Sequence, residues 1–224
     1  MPRNFVVILL ALGLLAGCGE DAAGNGTAQL WITRDRGSEV VTTTSVPAGI
    51  SAMEGLRRTA DVETRHGGRF VTSIEGIEGG LTSQRDWFFY VNGYEADLSA
   101  AEYTLNDGDV LWWDYRSWAE QLRVPVVVGA FPEPFLHGFA GRRRPAVVQG
   151  RAGATAKRLA ELVRGTVNGD ARGANRLVLV AGSGFRARLS GAPGDPVTFE
   201  LGIEAAPRLA RDPTLARYRY EGLR

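Results

Sequence analysis

Asp86-Trp-Phe-Phe-Tyr-Val-Asn-Gly-Tyr-Glu95 (DWFFYVNGYE) sets four aromatic side chains in consecutive positions and follows them with the turn pair Asn92-Gly93. An extended chain sends alternate side chains to opposite faces, so Trp87, Phe89 and Val91 point one way and Phe88, Tyr90 and Asn92 the other. A strand with one wet face alternates apolar with polar residues. This stretch is apolar on both sides, so both of its faces need cover.

The flanking sequence supplies the elements around it. Ala28 to Arg34 alternates as a strand, and Glu39 to Val46, rich in β-branched residues, is its hairpin partner across Arg36-Gly37-Ser38. Ser51 with Glu54 three residues on is a capping box, which starts a short helix through Met53, Leu56 and Ala60. Phe70 to Ile77 is a further strand, Ser99 to Leu105 a crossing segment, Asn106-Asp-Gly-Asp109 a tight turn rather than a calcium loop, and Val110 to Tyr115 (VLWWDY) the last strand. Two strands, a helix, then two or three strands form a small mixed sheet packed on one helix, the arrangement of a β-grasp. The last strand repeats the opening problem: Leu111, Trp113 and Tyr115 share one face, Val110, Trp112 and Asp114 the other. A lone helix dries only one side of a sheet, so the surplus aromatic face calls for a second partner.

From about Val124 the texture changes. Val124 to Gly129 reads as a buried strand, Ala146 to Gln149 as a short one, Ala154 to Arg164 as a helix, and Arg176 to Ala181, Phe185 to Leu189 and Val197 to Leu201 as strands. The tail after Pro207 is Arg-rich and carries no defined element. The expected organisation is α+β throughout: a leader over 1–17, a tether over 18–27, a first domain over 28–119 and a second α+β domain over 124–224.

The leader is the most specific local signal. Arg3 precedes an uninterrupted apolar run from Phe5 to Ala16, too short for a spanning helix, which needs about 20 residues, and of signal-peptide length. Leu15-Ala-Gly-Cys18 then sets small residues before the chain's single cysteine. This resembles the lipobox of bacterial lipoproteins. The resemblance implies that Cys18 is lipidated and becomes the first mature residue, that the protein is held on the membrane by that lipid, and that it works on the extracytoplasmic side.

Composition narrows the function. A formal charge of +1 over 224 residues offers no basic stripe for nucleic acid. One cysteine excludes an internal disulfide, and His66 and His137 alone make a poor zinc site. Gly182-Ser-Gly-Phe-Arg-Ala187 fits a dinucleotide fingerprint in letters, but an alternating strand follows where a helix is required, so it is expected to be a hairpin turn. Arg142-Arg-Arg144 is expected to be a solvated loop. No Ser, His and acid set presents itself, and no catalytic activity or cofactor is expected.

The aromatic set remains. Trp87-Phe-Phe-Tyr-Val-Asn-Gly93, Tyr103-Thr-Leu-Asn-Asp-Gly-Asp109 and Leu111-Trp-Trp-Asp-Tyr115 resemble the bacterial transcobalamin-like C-terminal domains, over about Leu30 to Trp118. That resemblance implies a β-grasp-like fold and a ligand at the edge of the sheet, with a corrinoid such as cobalamin as the leading candidate, delivered to a vitamin importer. Nothing here resembles the helical domain that completes the site in the animal carriers. On this reading the ligand sits on the spare aromatic face, and Trp87, Tyr90, Asn92, Tyr94 and Trp113 bind it by stacking and hydrogen bonds. The alternative is an envelope scaffold or protein-interaction module in which the aromatic residues are core and domain seam. Solvent exposure of Trp87, Tyr90, Trp112 and Trp113 separates the two.

Overall fold

A computed structural model describes residues 26–224. The expected leader, Cys18 and most of the expected tether lie outside the described residues. The chain is α+β, with far more strand than helix, arranged as mixed sheets.

The first half contains β1 (Thr27–Arg34), β2 (Glu39–Pro47), α1 (Ala52–Arg57), β3 (Val62–Arg65), β4 (Phe70–Ile74), β5 (Ile77–Glu78), β6 (Arg85–Val91), β7 (Tyr94–Glu95) and β8 (Val110–Ser117). The main sheet runs β2-β1-β8-β6-β7. Its centre is the parallel pair of first and last strands, Trp31 beside Trp112 and Ile32 beside Trp113. The opening stretch is β6, antiparallel to β8, with Phe89 opposite Trp113 and Tyr90 opposite Trp112. Asn92 and Gly93 turn the chain with φ of 52° and 85°, the paired left-handed values that an Asn-Gly hairpin supplies at least cost. Ser51 caps α1 as expected, its hydroxyl accepting from the Glu54 amide at 3.1 Å. β3, β4 and β5 form a separate three-stranded sheet, because the expected strand from 70 to 77 breaks at Glu75-Gly76.

The alternation in β6 and β8 comes out as read. Trp87, Val91, Leu111, Trp113 and Tyr115 enter the core on the α1 side, with Met53 and Leu56. Tyr90, Val110 and Trp112, with Trp31, form a second cluster on the far face, with Phe88 packed against it. What covers that far face is the chain itself: Val124, Val127 and Ala130 from the linker and Tyr218 and Tyr220 from the C-terminus. Tyr218 meets the Trp31 ring edge-on at 4.9 Å, and Tyr220 meets Trp112 at 5.6 Å. Asp114, wholly buried on this face, anchors the tail by accepting from the Tyr220 hydroxyl at 2.8 Å, from Thr33 at 2.6 Å and from the Gly37 amide at 3.1 Å. Burial raises its carboxyl above the usual range, and those donors pull it back.

The second half contains β9 (Ala146–Gln149), α2 (Ala154–Leu162), β10 (Thr166–Val167), β11 (Asn175–Val180), β12 (Phe185–Leu189), β13 (Val197–Gly202) and α3 (Ala206–Arg211). Its sheet runs β10-β9-β11-β13-β12, parallel except for β12. Three expectations are corrected here. Val124 to Gly129 forms no strand. It is buried on both sides, Val124 and Val127 on the far-face cluster and Val126 and Val128 in the main core, with one bridge to Tyr94. Gly182 to Gly184 is not a hairpin, since β13 lies between β11 and β12 and the loop passes over its end, Gly184 accepting from the Gly202 amide at 2.7 Å. The tail after Pro207 is ordered by α3 and by the two tyrosines, its apolar residues Leu209, Ala210 and Ala216 being buried. Their spacing was masked by the intervening arginines.

A single apolar cluster runs through both halves. At their seam Glu133, buried, accepts from the His137 ring at 2.6 Å and from the His137 amide at 2.9 Å. The hydrogen bond to Glu133 holds the imidazole pKa above its ordinary 6.5, with Asp109 adding to it and partial burial and Arg164 opposing. A pKa raised on folding stabilises fully below the unfolded value, and the gain is lost as pH rises through the folded one. The thermal midpoint is therefore expected to fall as pH climbs from about 6.5 through the raised pKa, and His137→Gln is expected to flatten that slope. An unchanged slope would remove the assignment.

Candidate functional site

The five residues expected to bind a ligand do not converge. Tyr90 is fully buried on the far face, its hydroxyl donating to Tyr220 at 3.0 Å. Burial pushes its phenol well above the usual range. Asn92, also fully buried, is spent on the fold: its amide donates to Asp109 at 2.7 Å and to the Gly138 carbonyl at 2.9 Å, and its oxygen accepts from the Val110 amide at 2.8 Å. Asp109 in turn accepts from Tyr103 and from the Asn106 amide, so the Asn-Asp-Gly-Asp turn uses its own carboxylate internally. Tyr94 packs on Phe139 and donates to the Asp195 carbonyl at 3.0 Å, tying the Asn-Gly corner to the second half. Arg142 and Arg143, in the expected solvated loop, are exposed and Arg144 is half-buried, while Arg143 and Arg144 also donate to the carbonyls of Phe135 and Gly194.

Trp87 and Trp113 are brought together on the α1 side but are only 6% and 2% exposed, and Tyr90 and Trp112 are wholly buried, so the exposure criterion favours the scaffold reading. The cover on this side is incomplete around Phe88 and Phe89. The short α1 and the three-stranded sheet leave a cleft of about 220 Å³ between β6 and β8 on one side and the segments Arg69 to Val71 and Leu98 to Ala100 on the other. Phe88 and Phe89 also line it and are half-buried. Phe89 stacks on Trp113 with ring centres 4.8 Å apart, which keeps one aromatic face toward the cleft wall. Trp87 is fixed by its indole N–H, which donates to the Ile77 carbonyl at 2.8 Å. Trp113 differs: its indole N–H is buried and finds no acceptor among the described residues. A buried donor without a partner costs about 1–3 kcal/mol, so it marks a place where the fold is not optimised for its own stability.

Next to this cleft is a second cavity of about 360 Å³, sharing Phe70 and Asp86 as walls and bounded also by Glu63, Glu78, Leu81 and Trp118. Phe70 is 47% and Leu81 85% exposed, so apolar surface surrounds the mouth. Partial burial raises the Asp86 carboxyl above its usual range, against the pull of the Trp87 amide. Sequence reading missed Phe70, Asp86, Phe89 and Leu98. Phe89 was legible, since it shares its strand face with Trp87. Asp86 adjoins Trp87 on β6, whereas Phe70 and Leu98 come from segments whose approach no local pattern announces.

Among the described residues, no group of three or more His, Cys, Asp or Glu side chains is placed to hold a metal ion, and no helix is long and apolar enough to cross a membrane.

Residues 49–117 match a family model described as a domain of unknown function, DUF4430. A search of curated proteins returns no match. Among solved structures the chain is similar to haptocorrin in complex with Cbi, at 17% identity and a TM-score of 0.34, over 40% of this chain and 24% of that one. It is also similar to a proposed metal-binding protein from Ruminococcus gnavus, at 15% identity and a TM-score of 0.34, over 41% of this chain and 97% of that one.

Proposed function

We propose that this protein is a non-catalytic binding protein, tethered through Cys18 to the outer side of the cytoplasmic membrane, that holds part of a ligand in the cleft beside β6. The observation that supports the reading is Trp113, a cleft-lining indole stacked on half-buried Phe89, with a buried N–H that finds no acceptor among the described residues. At about 220 Å³ the cleft lies below the ~300–1,000 Å³ of sites that enclose a whole drug-sized ligand. It therefore takes one edge or side group of something larger, with the adjoining cavity taking a second.

A corrinoid is the ligand we propose first, on the motifs in β6 and β8. A flat macrocycle offers an apolar edge for Phe89, the more accessible of the two stacked rings. Delivery to a vitamin importer belongs to the same proposal. So does the β-grasp-like description of residues 28–119, supported by the mixed sheet, its central parallel pair of first and last strands, and the single covering helix.

A chain beginning at Gly19 keeps every described residue, and cobalamin and cobinamide are titrated against it by calorimetry and tryptophan fluorescence. Binding with measurable heat at micromolar ligand is expected. Phe89→Ala is expected to weaken it by about tenfold, ~1.4 kcal/mol. The second reading, an envelope scaffold, is favoured by the self-sealed far face and the continuous core. Absence of heat and of quenching at tens of micromolar ligand leaves only that one.

A further inference from the structure

We propose a second binding site, in the crevice at the carboxyl ends of β9, β11 and β13, for a small molecule with an apolar body and one anionic end. In an open sheet of parallel strands a crevice opens where neighbouring strands send their connections to opposite sides, and ligands bind there. β9 continues through α2 to β10 on one side, whereas the chain leaves β11 toward β12 and β13 on the other. The loops after β9 and β11 therefore diverge, and the crevice between them has a volume of about 610 Å³, within the range of small-molecule sites. Gly150 lets the first loop lie flat on this wall: its φ is 147°, and a side chain there would meet the Leu179 Cβ at 2.8 Å.

The lining chemistry selects the ligand. Leu179, Val180, Ile203, Ala206 and Pro207 make an apolar wall, and Ile203 is 56% exposed although it follows a buried strand. Arg151 is the one charged residue of the lining, and no acidic group pairs with it among the described residues. The first turns of α2 and α3, which open at the crevice, contain no acidic residue either. An apolar wall with a lone, unneutralised cation discriminates for an anion and against an amine. The crevice shares no residue with the cleft beside β6, so the two proposals stand or fall separately.

The test uses the chain from Gly19 with methyl-labelled Ile, Leu and Val, titrated with decanoate, decyl phosphate and decylamine below their micelle concentrations. Both anions are expected to shift the Ile203 and Leu179 methyl signals, with decylamine at least tenfold weaker. Arg151→Glu is expected to weaken decanoate at least tenfold and to abolish the preference over decylamine. Ile203→Glu, at an exposed position that the fold does not need, is expected to abolish binding. Equal binding of anion and amine, shifts confined to residues around Trp87 and Trp113, or no shift at all would overturn the proposal. Response to phosphatidylglycerol vesicles without response to dissolved decanoate would overturn it in favour of a membrane contact.

Discussion

Replacing Tyr218 and Tyr220 together by alanine is expected to uncover the far face of the first sheet and to cost at least about 4 kcal/mol, because one large aromatic truncated in a core costs ~3–5 kcal/mol. The two side chains close over Trp31, Tyr90 and Trp112, and both are buried. Their loss exposes two tryptophans and leaves Asp114 buried without its Tyr220 donor. Chemical denaturation should show a much lower midpoint, and native-state emission should shift to the red as Trp31 and Trp112 meet water. Tyr220→Phe separates the contributions. It keeps the ring and removes the hydroxyl, so it is expected to cost only about 1–3 kcal/mol, the penalty of an unsatisfied buried group. A double variant as stable as the parent would show that the tail is not the cover of this face. The total stability of such a domain is typically only about 5–15 kcal/mol, so the double variant stands near the limit of folding.

Arg116→Met is expected to cost about 3–5 kcal/mol, the usual penalty for breaking a buried ion pair from one side. Arg116 is fully buried on β8, 3.6 Å from Glu95, which is itself nearly enclosed. Its guanidinium donates to the carbonyls of Gln121 and Leu122 at 2.9 Å each and lies 3.6 Å from the centre of the Phe88 ring. One side chain thus ties β6, β7 and the linker that leads into the second half. Arg116→Lys is expected to lose most of the same stability, since a single ammonium cannot serve two carbonyls and a ring face at once. Glu95 keeps Arg123 at 3.4 Å and the Val124 amide at 2.6 Å in the absence of Arg116, so adding Glu95→Gln to Arg116→Met measures how much of the loss comes from the carboxylate left with those partners alone. If the double variant is no more stable than the single one, Glu95 does not depend on Arg116.

The candidate site was half legible. Trp87 and Trp113 were singled out by counting aromatics on strand faces and by family resemblance, and the structure sets both, buried, along one cleft. Tyr90, Asn92 and Tyr94 carry the same kind of signal, yet each is held by the fold: Tyr90 by Tyr220, Asn92 by Asp109, Tyr94 by Asp195. Aromatic residues suit a core and a binding surface for the same reasons of size and rigidity, so residue type alone does not separate them. Asp86 stands beside Trp87 in β6 but reads as an ordinary strand-end carboxylate, and Phe70 and Leu98 escaped because they come from remote segments that meet β6 only in space.

The sequence by itself determined the periodic features: which residues of β1, β6 and β8 share a face, where α1 is capped, that Asn92-Gly93 turns, and that both faces of the first sheet are apolar. These follow from side-chain alternation and backbone preference within a few residues, so no distant contact is needed to read them. The tertiary structure alone decided what meets the surplus face, and the decisive bond joins Asp114 to Tyr220, 106 positions apart. It also decided that β13 intrudes between β11 and β12, so that the expected hairpin loop instead crosses the end of β13. Cover and strand order depend on where remote segments pack to exclude water, a property of the whole chain that no local stretch encodes.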